Sequence, residues 1–190
     1  MASTEFYHQH FTNADYAAGI PPKSTFESCT FEGLLLANHS LNKLDFIDCT
    51  FIDCDFSSSQ WAGTGIKNCS FHGCKLIGID FTICQPFLFY FSADACNLSY
   101  SQFSNCSMEK FVFSHCIMQE VDFSGAQLQK TIFNECVLTG TLFEQTHLEQ
   151  ADFRTARGFS IHPENNRLKG TRFSANNLEG LIAHLPIKIE

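Results

Sequence analysis

Ten cysteines and eight histidines stand in this 190-residue chain, the side chains that most often hold metals, attack substrates or carry protons. Their spacing argues against all three uses. Cys49 and Cys54 lie five apart and match no zinc pattern, and among the histidines only His8 and His10 approach a metal-binding pair. Gly63-Thr64-Gly65 lacks the flanking pattern of a phosphate loop. Serine, histidine and aspartate fall at positions with structural or solvent-facing explanations, so no enzyme is expected, and no catalytic, cofactor-binding or metal-binding residue is assigned. Arg154, Arg157, Arg167, Lys169 and Arg172 form a basic cluster, which reads as a solvated loop before it reads as a nucleic-acid patch.

The element that positions these residues is a five-residue repeat. Every fifth residue from Phe26 is large and apolar: Phe26, Phe31, Leu36, Leu41, Phe46, Phe51, Phe56, Trp61, Ile66, Phe71, Leu76 and Phe81. A second run gives Leu98, Phe103, Met108, Phe113, Met118, Phe123, Leu128, Phe133, Leu138, Phe143, Leu148 and Phe153. Two residues before each centre the side chain is usually small, and all ten cysteines fall there. Residues two apart on an extended segment share a face, so both positions must point inward. The cysteines are therefore expected to be reduced core thiols rather than disulfides or metal ligands. The other three positions, mostly polar or Gly, face solvent and turn corners.

In the second run Phe alternates with Leu or Met from Phe103 to Phe153. Like stacks on like only if one coil contains a multiple of ten residues. A coil of about 20 residues with four sides meets this condition, and a triangular coil of about 15 does not. Two opposite walls should then be Phe ladders and two Leu/Met.

Two breaks interrupt the pattern. The phase slips by two residues within 86–97, where Pro86 and a dense apolar stretch predict a bulge or kink. The stretch 154–167, with Gly158 and Pro163-Glu164-Asn165-Asn166, predicts a loop. The phase returns at Leu168, Phe173 and Leu178, and at the other end it reaches back through Phe6, Phe11 and Tyr16. The expected organisation is a mobile N-terminus over 1–10, a β-helix over 11–176 and a C-terminal helix and strand over 177–190. Asn177 is the expected cap of that helix, with Leu178, Leu181, Ile182 and Leu185 on one face and Ile187 in an extended tail. This module closes the open end of the coil either as an intramolecular lid or as a two-fold dimer interface.

Charge limits the partners. The net charge is −8, and residues 1–150 alone carry 16 acidic against 6 basic side chains. Such a body repels phosphate backbones, so direct nucleic-acid binding is not expected over most of its surface. It can instead imitate one. At about 4.8 Å per coil the rod would be roughly 40 Å long, and Asp45, Asp48, Asp53, Asp55, Asp80, Asp122, Glu135, Glu144, Glu149 and Asp152 would present collective negative charge to a basic DNA-binding surface. No stretch is apolar enough to span a membrane and the first residues do not read as a signal peptide, so a cytoplasmic location is expected.

The repeat resembles that of the pentapeptide-repeat proteins. Ala151-Asp152-Phe153, Val121-Asp122-Phe123-Ser124-Gly125, Cys96-Asn97-Leu98-Ser99 and Ala14-Asp15-Tyr16 fit its pattern of small, polar, Leu or Phe, then two polar residues. The resemblance spans about residues 11–180 and implies an all-β fold, a right-handed quadrilateral β-helix of about 20 residues per coil. Within the family the length, the Cys-and-Phe-rich repeats and the ending look like the Qnr, MfpA, AlbG and McbG subgroup. That likeness implies a DNA mimic that binds DNA gyrase or topoisomerase IV and protects it from a quinolone, albicidin or microcin-type poison, as resistance or self-immunity. It also favours a homodimer through Leu178, Leu181, Ile182, Leu185 and Ile187. The projecting loops of the Qnr proteins have no counterpart in either run here, which places the chain nearer the loop-poor AlbG and MfpA kind. The alternative is a scaffold or regulator that binds another protein.

Overall fold

A chain that alternates inward and outward side chains over three residues and then turns can close on itself only as stacked short strands. The computed structural model, which describes residues 4–15 and 20–187, has this form. Its strands are β1 (Thr4–Tyr7), β2 (His10–Thr12), β3 (Ser24–Glu27), β4 (Thr30–Glu32), β5 (Asp45–Ile47), β6 (Thr50–Ile52), β7 (Gly65–Lys67), β8 (Cys69–His72), β9 (Phe91–Asp94), β10 (Val112–Ser114) and β11 (Ile132–Asn134). They form two parallel sheets, β1-β3-β5-β7 and β2-β4-β6-β8-β9-β10-β11. Single parallel bridges hold the other two walls, one through Leu35, Asp55, Lys75, Asn97, Ile117, Val137 and Arg157, the other through Asp80, Gln102, Asp122 and Leu142. The protein is a right-handed quadrilateral β-helix.

The corner between walls falls two residues after each centre, where the backbone is left-handed. Asp48, Asp53, Asn68, Asn105 and Glu135 have φ of 52°, 51°, 54°, 60° and 52°. Asn, Asp and Gly tolerate this conformation best, which explains much of the polar composition at these positions. The outward peptide groups are satisfied by neighbouring coils: Asp53 N–H donates to His72 O at 2.9 Å and Asp55 N–H to Leu34 O at 2.8 Å.

The core is a set of side-chain ladders. Fourteen of the expected centres, Phe26, Phe31, Phe46, Phe51, Phe56, Phe71, Phe81, Leu98, Phe103, Phe113, Phe123, Phe133, Phe143 and Phe153, are buried; Phe173, at the end, is partly buried. Rings stack along a wall, as in Phe51 on Phe71 at 4.6 Å and 10°, and meet edge to face across corners, as in Phe46 on Phe51 at 5.2 Å and 78°. Both geometries suit the ring quadrupole. From Phe81 onward the ladders Phe81-Phe103-Phe123-Phe143 and Phe113-Phe133-Phe153-Phe173 occupy opposite walls.

The small position often makes a hydrogen bond as well. Cys49 Sγ donates to Phe26 O, Cys74 Sγ to Phe51 O and Cys136 Sγ to Phe113 O, each 23 residues earlier in the chain. Thr131 and Thr171 use their hydroxyls in the same way, on Met108 O at 2.8 Å and Leu148 O at 2.7 Å. A small side chain with one donor fits here, and Cys, Ser and Thr are that set. All ten cysteines are free thiols; nine are buried and Cys106 is half-buried. Burial pushes the Cys106 thiol up to about 11.

Several boundaries differ from expectation. The segment placed outside the coil at 1–10 is part of it over the described residues: β1 pairs in register with β3, and Phe6 stacks on Phe26 at 4.9 Å. Tyr16 lies outside the described residues. The slip within 86–97 is a 22-residue coil, pairing Cys69 with Phe91 and Phe71 with Ala93. Its extra residues bulge out around Phe87 and Leu88, and Leu88 takes φ 58°. The 154–167 stretch keeps the 20-residue step, with Arg157 bridged to Val137 and Arg167 to His147.

The terminal helix starts earlier than expected and is a 3₁₀ helix, Ala175–Leu181. Ser174 caps it, accepting from Asn176 N–H at 3.1 Å, while Asn177 Oδ1 accepts from Ser174 N–H at 2.9 Å. Asn177 Nδ2 donates to Phe153 O and Ala156 O, so the residue expected as cap is the third helical residue, which ties the helix to the last coil. Of the expected terminal strand, Pro186 and Ile187 are not in strand conformation, and the remainder lies outside the described residues.

Candidate interaction surface

The residue before each centre faces outward, but its side chain can reach the backbone N–H two residues on. Asp55 Oδ1 accepts from Ser57 N–H at 3.0 Å, Asp80 Oδ1 from Thr82 N–H at 3.0 Å and Asp122 Oδ1 from Ser124 N–H at 2.8 Å. These are Asx turns repeated up the solenoid. Burial opposes ionisation of Asp55 and Asp122, yet hydrogen bonds from Ser57 and Lys75 to the first, and from Ser104 and Ser124 to the second, outweigh it and hold both carboxyls below the usual range. Asp45 is paired with Lys67 at 2.8 Å.

Asp152, expected on the surface, is buried. Arg154 and Arg172 both reach its Oδ2, at 2.8 and 2.9 Å. The hydrogen bond from Arg154, reinforced by the Arg172 charge, lowers its carboxyl despite burial. Asp152 therefore adds no outward charge, and two members of the basic cluster are committed to it. Glu149 is half-buried, and its Oε2 has no hydrogen-bond partner among the described residues.

Of the acidic residues expected to form the surface, those that do project are Asp48 and Asp53 at left-handed corners, with Glu135 and Glu144. Asn68 Nδ2 donates to Asp48 at 2.6 Å and Asn165 Nδ2 to Glu144 at 3.3 Å. Glu135 shares His115 with Asp94; the 2.9 Å bond that the imidazole donates to Asp94 raises its pKa against its desolvation, with Glu135 adding to the effect.

Two apolar features are exposed. Phe87 and Leu88, 71% and 63% accessible, flank an open groove of about 590 Å³ with Ile47, Lys67 and Tyr90. At the C-terminal end Leu178, Leu185 and Ile187 are exposed, whereas Leu181 and Ile182 are half-buried and Leu181 packs on the core. The five expected interface residues thus divide between a lid and an uncovered apolar face. His162, Glu164 and His184 form the one group among the described residues able to hold a metal ion. Sequence spacing could not reveal it, because the loop and the terminal segment meet only after the last coil has closed.

Coils of stacked five-residue sides define a class of β-solenoid built from pentapeptide repeats. Residues 45–82 match the family of pentapeptide repeats (8 copies), and residues 106–182 match the pentapeptide repeat region. The chain belongs to the pentapeptide-repeat family. Among solved structures it is similar to a trypsin-treated form of QnrB1, described as a plasmid-mediated fluoroquinolone resistance protein, with TM-score 0.63 and 15% identity over 100% of both chains. Full-length QnrB1 gives TM-score 0.55 at 15% identity, over 98% of this chain and 99% of that one. HetL, a pentapeptide repeat protein involved in heterocyst differentiation regulation from the cyanobacterium Nostoc, gives 0.59 at 14%, over 94% and 86%. No curated protein matches the chain by sequence. No helix among the described residues is long and apolar enough to cross a membrane.

Proposed function

We propose that this protein is an acidic, non-enzymatic β-helical rod that binds DNA gyrase or topoisomerase IV as a DNA mimic and protects it from a poison. The observation that carries the reading is the likeness along the whole length of both chains to a fluoroquinolone resistance protein, joined to a net charge of −8. Charge of this sign and spread is what a basic DNA-binding surface attracts. The contact set is narrower than the sequence suggests. Asp48, Asp53, Glu135 and Glu144 carry it, because they are exposed, whereas Asp45, Asp55, Asp80, Asp122 and Asp152 are half-buried or buried in turns or ion pairs. In this reading the protein works in the cytoplasm, as a homodimer joined through Leu178, Leu185 and Ile187 with Leu181 and Ile182 beneath them, and binds neither nucleic acid nor membrane directly.

Titration of the purified protein into gyrase supercoiling and cleavage-complex assays, with and without a quinolone and albicidin, tests the proposal. Inhibited supercoiling or rescue from a poison is expected, and simultaneous reversal of Asp48, Asp53, Glu135 and Glu144 to lysine should abolish it while leaving the fold intact. A second reading, a scaffold that regulates another protein, draws on the similar likeness to HetL. Absence of any effect at micromolar protein would favour it.

A further inference from the structure

A backbone bond ties the loop over 158–166 to the terminal 3₁₀ helix, and the segment after that helix turns back beside the loop. Ile161 N–H donates to Gly180 O at 2.8 Å, and His162 then opens the short 3₁₀ turn Pro163–Asn165, its carbonyl accepting from Asn165 N–H at 3.2 Å and Asn166 Nδ2 at 3.0 Å. On the other side Leu185 N–H donates to Ile182 O at 2.9 Å, closing a turn that contains His184. Three side chains converge across this junction. The rings of His162 and His184 lie 4.0 Å apart at 22°, and His184 Nε2 stands 3.4 Å from Glu164 Oε1.

We propose that His162, Glu164 and His184 form a binding site for a divalent transition metal of the zinc class, which clips the loop to the C-terminal segment. One ligand atom from each residue lies within 4.8 Å of the other two. Ligands 2.0–2.1 Å from a tetrahedral ion are about 3.4 Å apart, so the widest pair of the triad must contract by up to about 1.4 Å. Glu164, with a side chain 61% accessible, has the freedom to move, and small ring rotations supply the rest. Two imidazoles and one carboxylate are a recurrent three-ligand zinc set that leaves a fourth position for water, and imidazole donors favour zinc, copper or nickel over magnesium or calcium.

A second observation points to a missing partner. The His184 side chain is only 17% accessible, and its Nδ1 is buried with no hydrogen-bond partner among the described residues. Stacking two imidazoles beside a carboxylate, with a ring nitrogen unsatisfied, is poor packing for its own sake. A cation held by His162, Glu164 and the Nδ1 of a turned His184 ring satisfies that nitrogen, whereas one held at Nε2, the atom beside Glu164, leaves it open. The site is independent of topoisomerase binding, and His184 directly precedes the exposed Leu185, whose presentation it would fix.

Chelator-treated full-length protein should bind one Zn²⁺ per chain in a calorimetric titration, with a thermal midpoint several degrees higher when loaded. Cobalt as a probe should give the visible spectrum of a tetrahedral nitrogen and oxygen site. His184→Ala and Glu164→Gln should each weaken binding more than about tenfold, and Glu164→Gln, at an exposed position, leaves the fold intact. His147→Ala should bind as the parent does. Lack of binding at 100-fold molar excess of zinc overturns the site, as does a cobalt–thiolate band or undiminished affinity in Glu164→Gln and His184→Ala.

Discussion

Gly180 lies flat against the ring of Phe159, so close that a Cβ at position 180 would overlap the ring edge and stand 2.6 Å from the Phe159 carbonyl oxygen. Gly180 is buried at the end of the terminal helix, and Phe159 closes the core beneath it. The glycine is required by this approach and not by an unusual backbone angle.

Gly180→Ala should therefore cost about 1–3 kcal/mol through overpacking, and the damage should be local. The Ile161 amide, bonded to Gly180 O, should lose hydrogen-exchange protection while amides of β5 and β6 keep theirs. Equal loss in both regions would show that the cap is not a separate unit.

Phe91 and Ala93 exchange the usual roles of the repeat. Ala93 sits in the column of Phe71 and Phe113, where a large side chain belongs, while Phe91 occupies the small position and fills the core between them. Phe91→Ala should cost about 3–5 kcal/mol and Ala93→Phe about 1–3 kcal/mol. The double variant restores the ordinary order, so it should be less destabilised than the sum of the two by about 0.5–3 kcal/mol. Denaturant midpoints of the four proteins decide this, and simple additivity would mean the swap is not compensatory.

This pair also shows how far the sequence is readable. Periodicity identified the centres because one large side chain must fill each side of every coil, and the cysteines followed because a fixed offset places them beside it. The two-residue slip was visible, but not that Phe91 would take the small position, since the pattern specifies spacing and not which column a large side chain enters. Asp55, Asp122 and Asp152 read as surface charge because their hydrogen-bond donors are backbone, serine and arginine groups whose positions only the fold sets. The same holds for Ser174, which displaces Asn177 as cap, and for His162, Glu164 and His184, whose convergence depends on the path of the last loop.

Asp152 makes stability depend on acid. Its carboxyl is lowered by Arg154 and Arg172, so the folded state holds the ionised form more tightly than the unfolded chain does. The contribution is complete above the ordinary value of 3.8 and disappears as pH falls through the lower folded value. Asp152→Asn should cost about 1–3 kcal/mol at neutral pH, where both arginines lose their charged acceptor. Parent and variant midpoints should converge below the folded value, and a gap that stays constant across this range would assign the cost to packing.

Leu178 separates the two roles of the C-terminal module. Its side chain is 47% accessible, and the residue follows the capped first turn of the helix, whereas Leu181 packs against the core. Leu181→Asp would disturb the lid and the apolar face together, so a change in mass there would be ambiguous. Leu178→Asp places the charge only on the exposed face, and near a helix N-terminus an acidic residue is locally tolerated. Light scattering should show the parent at twice the chain mass and Leu178→Asp at the chain mass, with unchanged thermal midpoints at protein concentrations where both are monomers. A dimer that survives Leu178→Asp would move the interface away from this face, and a parent that is already monomeric would leave the module with the lid role alone.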